Sequence, residues 1–209
     1  MGPKAGDIQP EAGYGLILVL PGGPGDDSFR GWVRERYDDW VDRGYVFAQL
    51  VSKHWQPNPP IIWPTEASPL DGMKFGTEEF VEEVVADVAE RVELDRSRIF
   101  TVSWSSSGPA CYHIASRKKT SVTGSLIAMS IYRRDLLDST KHLKKRPFFL
   151  LHSPTDAKCP LRMAEDGRDA LRKYKAVVEW STYEGGHGWA GDSVEQARHA
   201  LRWLADQQE

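Results

Sequence analysis

Short apolar runs recur along the chain at Leu16–Leu20, Tyr45–Val51, Ile99–Val102, Val122–Met129, Phe148–His152 and Val177–Tyr183, and amphipathic or charged stretches separate most of them. No other feature restricts the fold as strongly. Runs this short and this uniformly apolar suit strands buried on both faces, and helical spacers supply the crossovers that parallel strands require. The pattern predicts an α/β fold: a mainly parallel sheet of about six strands with helices on both faces. In such folds ligands bind beyond the carboxyl ends of the strands, so chemistry is sought just after each apolar run.

The clearest helix signal spans Thr77 to Glu93, with Thr77 as N-cap, Glu78 and Glu79 in the first turn, and Val81, Val84, Val85, Val88 and Val92 as one apolar stripe. Further helices are expected near Trp32–Asp42, Ser106–Arg117, Leu161–Tyr174 and Val194–Ala205. Ser52–Gly76 carries five prolines and reads as one long loop, of a length that often serves as a lid. The expected organisation is an N-terminal extension over residues 1–15 and a single domain over 16–209. A chain of this size buries roughly 70% of its unfolded surface, enough for a core without staples.

Composition removes several classes of function. Lys and Arg total 27 against 30 Asp and Glu, a formal charge of −3, so no overall field draws the chain to nucleic acid or anionic lipid. No apolar run approaches the roughly 20 residues that cross a bilayer. Neither a nucleic-acid nor a membrane partner is expected. Residues 1–15 lack a basic start followed by an apolar segment, which leaves localisation open: cytoplasmic for a full chain, exported for a piece of a longer precursor. The two cysteines, Cys111 and Cys159, have neither C-x-x-C spacing nor a histidine partner pattern. They read as free thiols, with no metal site and no cofactor expected.

At Ser103-Trp104-Ser105-Ser106-Ser107-Gly108 a strand runs into a helix and leaves a serine at the bend. A nucleophile elbow needs this arrangement, because the tight turn lifts one serine above the sheet and aims the helix amides at a developing oxyanion. The usual pattern is G-x-S-x-G. With Ser105 as nucleophile both flanking glycines are serines, whereas Ser106 would set the bulky Trp104 at the crowded position, so Ser105 is the better candidate. Pro109 falls in the first helical turn, where it is tolerated. A serine-rich turn that merely caps a helix is the structural alternative.

Two further strand ends carry matching groups. Asp156 stands in the turn after Phe148–His152, and His187 stands in Gly185-Gly186-His187-Gly188 after Val177–Tyr183. Alone, an aspartate in a turn or a histidine in a loop is ordinarily structural. Together they give the chain order Ser, Asp, His, each at the carboxyl end of a strand, which is the order of α/β-hydrolases. Leu20-Pro21-Gly22-Gly23-Pro24-Gly25-Asp26 continues the first strand into a glycine-rich turn. Pro24 has no amide proton, so Gly23 and Ser106 are the candidate oxyanion donors.

With these residues in view the chain resembles the α/β-hydrolase superfamily, particularly small bacterial serine esterases of the phospholipase/carboxylesterase and dienelactone hydrolase-like groups. Leu20–Asp26 is similar to their oxyanion turn, Asp95–Phe100 to the approach to their elbow, and Gly185–Trp189 to their histidine loop. The resemblance implies Ser105, Asp156 and His187 as a triad. Two departures are the elbow serines and Pro21, which stands where many relatives have histidine. The apolar pattern opens at what corresponds to the family's third strand.

The expected activity is hydrolysis of small-molecule carboxylic esters with short to modest acyl chains, through an acyl-enzyme. The alternatives are an amidase or peptidase using the same triad, and an inactive binding module on the same fold. Trp104 and Trp189, beside the nucleophile and base, and Trp55 and Trp63 in the long loop are candidates for an aromatic wall at the substrate. Lys53 and His54 are candidates for contact with a polar leaving group. Oligomeric state is left open.

Overall fold

A computed structural model describes residues 1–208. Six strands form one sheet: β1 (Tyr14–Leu20), β2 (Tyr45–Gln49), β3 (Leu94–Trp104), β4 (Gly124–Ala128), β5 (Pro147–His152) and β6 (Val177–Thr182), in the order β2-β1-β3-β4-β5-β6. Every neighbouring pair is parallel. The α/β reading is therefore correct, with the sheet wholly parallel.

Five helices connect and cover it: α1 (Arg30–Trp40), α2 (Thr77–Ala89), α3 (Gly108–Ser116), α4 (Leu161–Lys173) and α5 (Ser193–Asp206). Side chains alternate across a strand, and β1 shows what that does. Leu16, Leu18 and Leu20 pack with Val81 and Val85 of α2, Ala110 and Ile114 of α3 and Leu171 of α4. Ile17 and Val19 point the other way, into a layer with Val33 and Trp40 of α1 and Ala197, Leu201 and Leu204 of α5. All seven β1 residues are buried, which explains why the strand reads as a continuous apolar run rather than an alternating one.

Boundaries differ from the sequence expectations where local chemistry intervenes. The cap of α2 is Gly76, whose amide donates to Glu79 Oε2 (3.1 Å), while the Thr77 hydroxyl donates to the Pro64 carbonyl (2.7 Å). Thr77 therefore anchors the preceding loop instead of capping the helix. α3 starts at Gly108 rather than Ser106, because a tight 3₁₀ turn occupies Ser105–Ser107. β1 begins at Tyr14, inside the expected extension, and Met1 exchanges backbone hydrogen bonds with Phe47 on the outer edge of β2.

The chain leaves β1 toward β2 at one side and returns across it to β3 on the other, so direction reverses between two adjacent strands. The crevice beyond such a reversal is where open α/β sheets bind ligands. Leu20 of β1 lies in register with Ser103 of β3, which sets the glycine-rich turn beside the serine-rich one.

Candidate active site

β3 ends extended at Trp104 (φ −149°, ψ 151°), and Ser105 follows at φ 54°. A non-glycine residue in the left-handed region is strained and persists only where its surroundings hold it. Here Ser130 Oγ donates to the Ser105 carbonyl (2.6 Å), and Ser107 Oγ donates to the Leu20 carbonyl (2.6 Å) while accepting from the Trp104 amide (3.0 Å). The turn is thus tied to β1 and to the residue after β4. Ser103 is buried, its hydroxyl directed at the Leu126 carbonyl (3.4 Å). Position 108 is where a side chain finds no room: a Cβ on Gly108 would collide with Ser130 Oγ and lie 2.5 Å from its Cβ.

Asp156 in the turn after β5 and His187 in the loop between β6 and α5 converge on that serine. Ser105 Oγ lies 2.9 Å from His187 Nε2, and His187 Nδ1 lies 2.8 Å from Asp156 Oδ2. An ionised carboxylate only accepts, so Nδ1 carries the proton and Nε2 presents its lone pair to the serine hydroxyl. The two loops are stitched together. The Gly186 amide donates to Ser153 Oγ (3.0 Å), and Tyr183 Oη donates to the Gly186 carbonyl (2.9 Å). Burial pushes the Tyr183 phenol up to about 12, which keeps it a donor.

The Asp156 side chain has 0% exposure. Its burial alone would raise its pKa, but the Cys159 amide, the His187 ring and the Lys158 amide outweigh that and hold the carboxyl below its ordinary value. Both amides bond Oδ1 at 2.8 Å, leaving Oδ2 to the imidazole. His152 lies behind, its Nε2 donating to the Cys159 carbonyl (2.6 Å); burial lowers its pKa and favours the neutral ring.

Ser106 Oγ donates to the Gly23 carbonyl at 2.8 Å, which fastens the elbow to the glycine-rich turn and brings the two candidate oxyanion residues together. Gly23 has φ 59°, a conformation glycine adopts without cost. Gly22 is needed for a different reason, since a Cβ there would stand 2.5 Å from Trp104 Cδ1.

A cavity of about 630 Å³ opens over Ser105 and His187, walled by Phe29, Trp32, Trp104 and Trp189, with Met129 and Lys158 also on its lining. The rings of Trp32, Trp104 and Trp189 lie 5.5 to 5.6 Å apart, and Phe29 meets Trp104 edge-on at 5.2 Å. Trp104 and Trp189 therefore line the cavity, whereas Trp55 and Trp63 do not. Trp63 is buried with its indole donating to the Pro21 carbonyl (2.9 Å), and Trp55 packs against Phe75 at 4.8 Å. The loop that carries them braces the glycine-rich turn from outside, with His54 Nε2 2.7 Å from the Pro24 carbonyl. None of its residues lines the cavity, so neither the lid expectation nor the leaving-group contact for Lys53 and His54 fits its position. Phe29, Trp32, Met129 and Lys158 were missed. Met129 directly follows β4 and Lys158 stands two residues after Asp156 in the turn beyond β5, so a search beyond every strand end would have reached both.

Asp156, Cys159 and His187 place donor atoms within 4.8 Å of one another. Burial pushes the Cys159 thiol up to about 11, so it stays protonated, and both His187 nitrogens are occupied by Ser105 and Asp156. The arrangement suits proton relay better than metal ligation.

No protein-family model and no curated protein matches the chain in sequence. Solved structures do match its fold. A Bacillus cereus carboxylesterase superposes with TM-score 0.70 at 17% identity, covering 93% of this chain and 89% of that one. The structure of YahD with malic acid gives 0.68 at 16%, covering 96% and 97%. Zea mays acyl-protein thioesterase 2 gives 0.65 at 13%, covering 100% and 97%. The chain shares the α/β-hydrolase type of fold with these structures.

Proposed function

We propose that this chain is a serine hydrolase of carboxylic esters. The observation that carries the reading is the unbroken hydrogen-bonded line from Ser105 Oγ through His187 to Asp156. His187 Nε2 takes the hydroxyl proton as Ser105 attacks the acyl carbon, and Asp156 orients and stabilises the imidazolium. The Gly23 and Ser106 amides receive the carbonyl oxygen as it becomes an oxyanion. His187 then protonates the departing alcohol, an acyl-serine remains, and water activated by the same imidazole releases the acid. Apart from that water, every proton-transfer and oxyanion-binding role falls to a group of this chain.

The aromatic wall of Phe29, Trp32, Trp104 and Trp189 lies beside the nucleophile. It supports a short to modest acyl or aryl group held by ring contacts. The esterase and thioesterase names of the matching folds agree with attack on an acyl carbon. Incubation with a fluorophosphonate followed by peptide mapping tests the assignment: the adduct is expected on Ser105, and an unmodified Ser105 would favour a binding module on the same fold. Rates on p-nitrophenyl acetate and butyrate above those on the matching anilides separate an esterase from an amidase.

A further inference from the structure

In α3, His113 is fully buried and points into a cluster that shares no residue with the relay. Its Nδ1 lies 2.7 Å from the Leu136 carbonyl. A carbonyl only accepts, so Nδ1 donates there and Nε2 is the ring atom turned toward the rest of the cluster. That nitrogen faces two carboxylates, Glu66 Oε1 at 3.7 Å and Glu78 Oε1 at 3.9 Å. Both separations exceed hydrogen-bond reach, and His113 Nε2 has no hydrogen-bond partner among the described residues.

Glu78 adds a second unanswered group. Its Oε1 accepts from the Glu66 amide (2.9 Å) and lies 3.6 Å from Arg117 Nη1, but its Oε2 is buried with no hydrogen-bond partner among the described residues. The side chains of His113 and Glu78 are only 1% and 3% exposed, while that of Glu66 is 56% exposed. Buried polar atoms left without hydrogen-bond partners are costly inside a protein, and Arg117 approaches only Glu78 Oε1, so His113 Nε2 and Glu78 Oε2 are the atoms a bound ion would answer.

We infer that His113, Glu66 and Glu78 form a binding site for a divalent transition-metal ion, with Zn²⁺ the best match. One donor atom from each residue lies within 4.8 Å of the others. A metal–nitrogen and a metal–oxygen bond together span about 4.0–4.3 Å, slightly more than the separations found, so an ion fits between the ring and the carboxylates. The hydrogen bond from Nδ1 to a backbone carbonyl is the support a metal-bound histidine ordinarily has. A neutral imidazole with two carboxylates favours zinc and its neighbours over magnesium, which prefers oxygen alone. A surface groove lined by Glu78, Glu82 and Arg117 borders the cluster, and the half-exposed Glu66 side chain is its contact with solvent. Glu66 lies in the long loop, Glu78 in the first turn of α2 and His113 in α3, so the ion fastens that loop to both helices.

The test uses the whole chain, stripped with a chelator and titrated with ZnCl₂ by calorimetry, with thermal unfolding followed in parallel. A Cys159→Ser/His187→Ala background removes the other cluster of donor atoms. In that background one equivalent of Zn²⁺ is expected to bind and raise the Tm, and MgCl₂ at the same concentration is expected to do neither. Glu66→Gln, at an exposed side chain, is expected to fold normally and weaken Zn²⁺ binding by about tenfold or more. His113→Gln is expected to weaken it further. Absence of binding in the background protein, or binding undiminished by Glu66→Gln, would overturn the inference. Neither result depends on ester hydrolysis, so failure here and failure of the Ser105 assignment are distinguishable.

Discussion

Asp156 shows how much one side chain depends on the atoms around it. Its carboxyl is out of water, and two backbone amides and an imidazole supply what solvation would have supplied. Asp156→Asn removes the charge and lets an amide face Nδ1, favouring the wrong tautomer. We expect kcat on a p-nitrophenyl ester to fall about 10⁴-fold, while Ser105→Ala and His187→Ala lose about 10⁶-fold, all three with unchanged far-UV circular dichroism. Near-native turnover by either alanine variant would remove the triad.

His152 sets a pH dependence of stability. Its pKa is lowered from 6.5, chiefly by burial, so the unfolded chain takes up the proton first as pH falls. Folded stability present above about pH 6.5 is lost on acidification below it. Asp156 loses its contribution at lower pH, below about 4, as its depressed carboxyl protonates. His152→Gln should flatten the decline of the urea midpoint between about pH 6.5 and 5; an unchanged decline would show that the imidazole is not its source.

At the scale of elements, the turn at Ser105 forms without the glycines of the common pattern. Ser107 is buried and bridges the end of β1 and the end of β3 through one hydroxyl. Ser107→Gly restores the familiar motif yet should destabilise the protein by about 1–3 kcal/mol, because it leaves buried backbone groups without partners. Urea unfolding measures this, and a neutral or stabilising result would show that the hydroxyl is dispensable. Against the G-x-S-x-G pattern both elbow serines are departures. Within the elbow, the glycine with no room for a side chain is Gly108, set by Ser130 after β4. Contacts between residues this far apart leave no local trace in composition or periodicity.

Across the whole molecule, β1 and β5 bury both faces, and the two apolar layers they separate hold the strand ends in a fixed relation. Phe149 is 0% exposed and meets His199 and Trp203 of α5. Phe149→Ala should cost about 3–5 kcal/mol by urea titration, with fluorophosphonate labelling of Ser105 retained at temperatures where the variant stays folded. Loss of labelling in the folded variant would mean that core packing positions the relay more directly than its hydrogen bonds do.

The strands, the helices and the positions of Ser105, Asp156 and His187 were legible in the amino-acid order, because apolar runs, turn residues and strand ends are properties of neighbouring residues. What surrounds those positions was not. Phe29 and Trp32 join Trp104 and Trp189 around the cavity, Trp63 turns inward to Pro21, and His113 meets Glu66 and Glu78, only once the crossovers have stacked helices on the sheet. Local pattern determined which segments become strands and helices. Tertiary packing decided which side chains meet, because those contacts join distant segments and depend on the sheet's order and register.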